Sequence, residues 1–195
     1  LGPASIGAEA LVGMAIGFAA AIFVGAAEMA GDLSAVQMGL SGAAVLDPMT
    51  HITVPVLGQF MQLFVVTLML AADAHLVIID AVAASMRRLP LGATVDATAG
   101  IGAMLSLGAT VFTLGVRMAA PVMAAVLVGN VALAILTRAA PQLNVLTVAF
   151  PLQIGLGLFT LCAALPVIAM QFVGWSRAYD GVLTNLVNAL ATGGR

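Results

Sequence analysis

Few residues in this chain have the chemistry for catalysis or ligand binding. There are two histidines, His51 and His75, one cysteine, Cys162, and eight acidic residues. No HExxH pair is present, so zinc-protease chemistry lacks its ligands. Asp73 and His75 stand two residues apart, on different sides of a helix, and make a poor metal pair. There is no GxSxG elbow and no phosphate-cradling glycine loop. Asp73 and Asp80 are seven apart, which places them on one face of a continuous helix. They form either a paired-carboxylate site inside a membrane or two polar spots at a helix interface. Glu28 and Asp32 are four apart and follow an apolar run. They either contact a partner, form a polar pore mouth, or cap a solvated helix end. A lone cysteine forms no internal disulfide. Neither a metal nor another cofactor is expected, and no catalytic set is recognisable.

These residues are rare because almost everything else is apolar. Of 195 residues, 63% are hydrophobic and 7% charged, where a soluble domain has about 25% charged. So little charge cannot clothe a soluble surface, and most of the exterior must face lipid or apolar protein. The formal net charge is -2; with no basic patch to neutralise phosphates, nucleic acid is not an expected partner. Runs without charge cover 10–27, 52–72, 97–116, 118–137 and 139–176. A membrane-crossing helix needs roughly 20 apolar residues, so five or six spans are expected, with a hairpin in the longest run. The first residue is Leu and no signal peptide is visible, so the true N-terminus is expected to lie upstream.

Ala, Leu and Met dominate the runs and favour helix. Helices are predicted at about 6–30, 32–44, 55–86, 97–118, 121–139, 151–173 and 175–191. Asp47-Pro48 and Pro55 bound a loop, and Asp96 suits a helix N-cap. Arg87, Arg88, Arg138 and Arg177 share a cytoplasmic side if 97–116 and 118–137 are separate spans and 139–176 is a hairpin. Gly13, Gly17, Ala21 and Gly25 repeat every four residues, as do Gly31, Ala35, Gly39 and Ala43. Four-residue spacing keeps small side chains on one face, where another helix can approach closely. Eleven Met offer deformable side chains suited to irregular packing or to a moving seal.

One polar stretch interrupts the apolar runs: TRAAPQLNVLTVAFP, Thr137 to Pro151. Arg138 suits the negative end of a helix, Pro141 stops helix continuation, and Gln142 and Asn144 supply amides for freed backbone groups. This reads as a structured hairpin turn, either self-contained or shared with a neighbouring subunit.

The same stretch resembles a signature of the FliR family, membrane components of flagellar and virulence type III export. Ala10 to Pro48, with its Ala30-Gly31-Asp32 step and its Gln-Met-Gly-Leu-Ser run from Gln37 to Ser41, resembles the family's central block. Pro55 to Gly92 resembles the block that follows. Two departures stand out. Asp73-Ala74-His75 replaces the family's usual Asn-Gly-His. Val145-Leu146 occupies a place where an aromatic or Ile is usual.

The resemblance implies an all-α integral membrane protein of hairpins and broken helices. It implies a FliP-like part at 1–117 without the family's first helices, then a FliQ-like hairpin and amphipathic helix at 118–195. It implies a non-enzymatic, pore-forming subunit of the flagellar export gate. Its implied partners are FliP-like and FliQ-like subunits, an FlhB-like subunit, unfolded exported proteins and membrane lipid. Its implied place is the bacterial inner membrane, at the flagellum basal body. The resemblance also assigns 38–54 to a plug in the central passage, with Met38, Gly39, Ser41, Gly42, Asp47, Pro48, Met49 and His51 in it. By the residues alone this stretch is a connecting loop. Arg138, Pro141, Gln142 and Asn144 become a turn that interlocks with neighbouring subunits. Two alternatives stay open: a virulence-type gate subunit, or a small-solute transporter using Asp73, Asp80 and Asn130.

Overall fold

Helix-forming residues with few interruptions give long helices. The computed structural model describes residues 3–40, 56–88, 97–139 and 145–191. Its helices are α1 (Pro3–Gln37), α2 (Val56–Ala71), α3 (Ala74–Arg88), α4 (Ala97–Ala139) and α5 (Val145–Ala191). Among the described residues there is no strand, so the all-α expectation holds. Ser41, Gly42, Asp47, Pro48, Met49, His51, Asp96, Pro141, Gln142 and Asn144 lie outside the described residues.

Several expected boundaries shift. Gly31 does not end the first helix; α1 continues to Gln37. It stops where the Met38 amide donates to the Ser34 carbonyl at 2.9 Å and the Gly39 amide to that of Val36 at 3.1 Å. Gly39 has a φ of 75°, the left-handed conformation in which a glycine commonly terminates a helix.

The helix expected over 55–86 is broken. α2 and α3 are bent by 72° around Asp73, whose φ is 54°. The Asp73 amide donates to the Leu70 carbonyl at 3.2 Å, and its own carbonyl accepts from the Leu76 amide at 3.0 Å. One residue thus closes α2 and opens α3. Asp tolerates this backbone better than most side chains because its short polar group can bond locally.

Prolines inside the last two helices do not divide them. α4 passes through Pro121, and α5 through Pro151 and Pro166. Each ring removes one backbone donor and strains one turn, while the flanking turns stay bonded. The expected pairs 97–118 with 121–139, and 151–173 with 175–191, are therefore single helices. The 139–176 run contributes one helix and no internal hairpin. Among the described residues three helices, where five or six spans are expected, are long and apolar enough to cross a membrane: Ile6–Gln37, Thr98–Ala139 and Thr147–Phe172. The bent α2–α3 pair makes a fourth if counted as one span. The condition for a shared arginine side, separate spans at 97–116 and 118–137 with a hairpin in 139–176, is not met.

The 43 residues of α4 extend about 65 Å at 1.5 Å per residue. The 47 of α5 extend about 70 Å if straight. A hydrocarbon core is about 30 Å thick. Arg117, exposed near the middle of α4, stands roughly 30 Å from either end. A continuous helix of this length cannot lie wholly across one hydrocarbon core.

The chain forms two compact units. One comprises Leu1–Gly25, Val65–Thr113 and Met170–Arg195. Its core takes Val12, Ala15, Ile16, Ala19, Ile22 and Phe23 from α1, a stripe at three- and four-residue steps. Phe23 meets Phe172 edge to face, with ring centroids 5.4 Å apart. The other unit comprises Ala26–Phe64 and Leu114–Ala169. Its core takes Ala26, Ala27, Ala30 and Met38 from α1, with Met61, Val122 and Val126.

Candidate functional site

The second unit gathers most of the described residues with an expected role. It is built on close backbone approach. A Cβ placed on Gly31 would lie 2.6 Å from the Gly58 Cα and 2.7 Å from its nitrogen, and would run into the Leu57 carbonyl. α1 and α2 therefore touch backbone to backbone, which only glycine permits on both sides. A Cβ on Gly58 would collide with the Asp32 carboxylate and lie 3.3 Å from the Glu28 carbonyl. Asp32 thus folds over the crossing. Glu28 and Asp32 are half-buried, and neither is ion-paired within the described residues. They sit in the last three turns of α1, not beyond its end.

Further along α1, the buried Ser34 hydroxyl donates to the Ala30 carbonyl at 2.7 Å. Met38 is fully buried. Its side chain fills the space over Gly157 of α5, where an added Cβ would stand 2.5 Å from Met38 Cγ and 2.6 Å from its Cε. Gly39 rests on the next turn of α5: a Cβ there would be 3.2 Å from the Phe150 ring and 3.4 Å from Gln153 Oε1. Gln153 Nε2 donates to Asn130 Oδ1 at 2.5 Å. A chain of contacts thus runs from Met38 and Gly39 through α5 to α4. It fixes the root of the segment that begins at Ser41.

The Gln153–Asn130 bond and the Gly157 seat were not among the sequence expectations. A signal existed for the first. Asn130 is nine residues before the end of α4, and Gln153 is eight after the start of α5. Asn130 is the single amide of α4 and Gln153 the first of four in α5; amides at nearly matching distances from consecutive helix ends, in apolar surroundings, are natural partners. We expect Asn130→Leu or Gln153→Leu alone to lower stability by about 1 kcal/mol, because one amide is left unpaired in apolar surroundings. The double Leu variant should recover most of that, as read by thermal unfolding in detergent.

The remaining residues are placed as follows. Gly13 and Gly17 are exposed, and a Cβ on either would meet nothing within 4 Å; the face that packs within the chain is the alanine face. Gly25 is in ordinary contact with Val111, 4.0 Å from the added Cβ to Val111 Cγ1. Arg138 is exposed in the last turn of α4. Asp73 and Asp80 are not a pair on one helix face. Asp73 lies in the bend, and Asp80 instead faces Arg87, 3.7 Å from its guanidinium. The Nδ1 of His75 is buried without a hydrogen-bond partner. Among the described residues no three His, Cys, Asp or Glu side chains gather as metal ligands.

The geometry is that of a packed, nearly charge-free helical assembly, and the similarities are of the same kind. The profile of the family described as Bacterial export proteins, family 1, matches residues 3–178. Flagellar biosynthetic protein FliR of Escherichia coli K12 is 33% identical over 161 residues, covering 83% of this chain and 62% of the relative. The protein of that name from Bacillus subtilis 168 is 32% identical over 187 residues, covering 94% of this chain and 71% of the relative. That of Pectobacterium carotovorum is 32% identical over 160 residues, covering 82% and 61%. The chain thus spans about six tenths of the length of the Escherichia and Pectobacterium relatives. The likeness carried by the sequence motifs is borne out: the chain belongs to the bacterial export proteins, family 1.

Proposed function

We propose that the chain is a structural, pore-forming subunit of the flagellar type III protein export gate. It is not an enzyme on this reading. It assembles with FliP-like and FliQ-like subunits, beside an FlhB-like subunit, in the bacterial inner membrane at the flagellum basal body. The assembly passes unfolded flagellar proteins. The observation that carries the reading is the family match running from residue 3 to residue 178, with relatives named for flagellar biosynthesis.

The helices support it independently. α4 and α5 have 43 and 47 residues, each about twice the roughly 20 that a hydrocarbon core takes, so part of each must stand in contact with protein or water. A subunit of a helical assembly standing clear of the bilayer meets that demand; a bundle lying flat in it does not. The fixed root at Met38 and Gly39 suits a segment that must stay in place beside a passage. On the same reading 118–172 is the FliQ-like hairpin, and the open Gly13–Gly17 face is where a neighbouring helix lies.

Native mass spectrometry tests this. The tagged chain is co-expressed with the FliP and FliQ of its own genome and extracted in mild detergent. A defined complex with one copy of this chain is the expected result. Normal swimming in a clean deletion strain would count decisively against the proposal.

A further inference from the structure

In the first unit, a small cleft lies between α3 and the C-terminal part of α5, with about 140 Å³ of free space. Asp80, Arg87 and Arg88 form one wall, and Leu183, Thr184 and Val187 the other. None of these residues has a part in the proposed gate. We propose that the cleft holds the headgroup of a zwitterionic aminophospholipid, with its phosphate on the two guanidiniums and its ammonium on Asp80.

Three features support this choice. The first is unused bonding capacity. Arg87 and Asp80 stand 3.7 Å apart with side chains 67% and 77% exposed, an arrangement that contributes little by itself. Arg88 donates one N–H to the Asn188 side-chain oxygen, which orients its guanidinium and leaves other donors free. A planar guanidinium binds phosphate oxygens in pairs.

The second is the charge pattern. A lone phosphate would meet the Asp80 carboxylate and the carbonyl end of α3, both repulsive to an anion. A phosphate that carries an amine on a short linker turns Asp80 from a repulsion into a partner. The third is the apolar surround. Leu183 and Val187 of the second wall are buried, while Leu76, Ile79, Val82 and Met86 stand exposed on α3. Those exposed side chains give acyl chains an apolar surface on the same helix, which a soluble phosphate ester would not use.

Lipid titration of the detergent-solubilised chain, followed by native mass spectrometry, tests the assignment. The probes are phosphatidylethanolamine, phosphatidylglycerol, diacylglycerol and glycerophosphoethanolamine. One phosphatidylethanolamine should be retained. Arg87→Gln with Arg88→Gln should weaken it at least about tenfold, the loss expected for hydrogen bonds to a charged group. Asp80→Asn should weaken phosphatidylethanolamine and strengthen phosphatidylglycerol, a change of opposite sign that simple unfolding would not produce. Circular dichroism on each variant confirms that the helices persist.

Four results would overturn the proposal. These are equal retention by the double arginine variant, diacylglycerol binding as tightly as phosphatidylethanolamine, phosphatidylglycerol binding as tightly to the unmodified chain, and loss of lipid when partner subunits occupy the same cleft. Competition by glycerophosphoethanolamine as strong as by the lipid would overturn the membrane source and assign the site to a soluble phosphodiester.

Discussion

Gly31→Leu should abolish the packing of the second unit. The neighbours of an added Cβ are backbone atoms of Leu57 and Gly58, at or below 2.7 Å, and backbone cannot rotate aside as a side chain can. Leu in place of Gly inside a helix gains somewhat under 1 kcal/mol of propensity. Forcing bulk into a filled space costs about 1–3 kcal/mol even where side chains can shift. With backbone on the far side the cost falls at or above the top of that range, so the clash wins. α1 and α2 must then separate, carrying Asp32 and the root of the segment at Met38 with them. The measurement is the monodisperse fraction after detergent extraction, together with swimming of a deletion strain that carries the variant. Gly13→Leu is the control: its Cβ meets open space, and the stability of the chain should change by no more than about 0.5 kcal/mol. For the isolated chain in detergent, where no partner covers the Gly13–Gly17 face, equal monodisperse fractions for the two variants would mean that the Gly31–Gly58 contact does not exist as described.

The other large effect belongs to Phe172. It is 1% exposed and forms the edge-to-face pair with Phe23. Phe→Ala in a filled core costs about 3–5 kcal/mol, part from lost transfer and part from the void. Between helices in an apolar medium the transfer part shrinks, since lipid tails are as apolar as the core. The void and the lost aromatic pair, itself about 0.5–1.5 kcal/mol, remain. Phe172→Ala should therefore destabilise by about 3 kcal/mol, and Phe172→Leu by less than half of that, since most of the volume is kept. Thermal unfolding in detergent separates them. An alanine variant that melts with the unmodified chain would show that this core is loose.

Phe172 also shows what an amino-acid sequence leaves open. It sits in an apolar run that sequence alone marks as helical, but nothing in the run says that Phe172, and not the exposed Phe159, meets Phe23. Class, helical content and family follow from properties each segment carries by itself: apolar length, scarcity of charge, and ordered motifs from Ala10 to Pro151. Helix ends were legible where one residue decides locally, as at Arg138. They were misread at Gly31, at Pro121 and between 173 and 175, where the local signal says stop and the helix continues, and at Pro151, which reads as a start although α5 begins at Val145. A glycine or proline costs about 1–3 kcal/mol in a helix. At Gly31 that cost is offset by a contact with a residue 27 positions away, Gly58, which no local pattern announces. The reverse error occurred at Asp73, where good helix formers on both sides over 55–86 hid a bend.

The four-residue glycine spacing was visible from the start, but spacing defines a face and not what lies opposite. Gly31 meets backbone, while Gly13 and Gly17 meet nothing in this chain. The amides of Asn130 and Gln153 find each other only because α4 and α5 bring them level. Sequence alone determined which segments are helical and apolar, because helix formation and exclusion of charge are short-range and compositional. Tertiary structure alone decided which helices stay unbroken and which small faces are filled, because both depend on atoms supplied by distant parts of the chain.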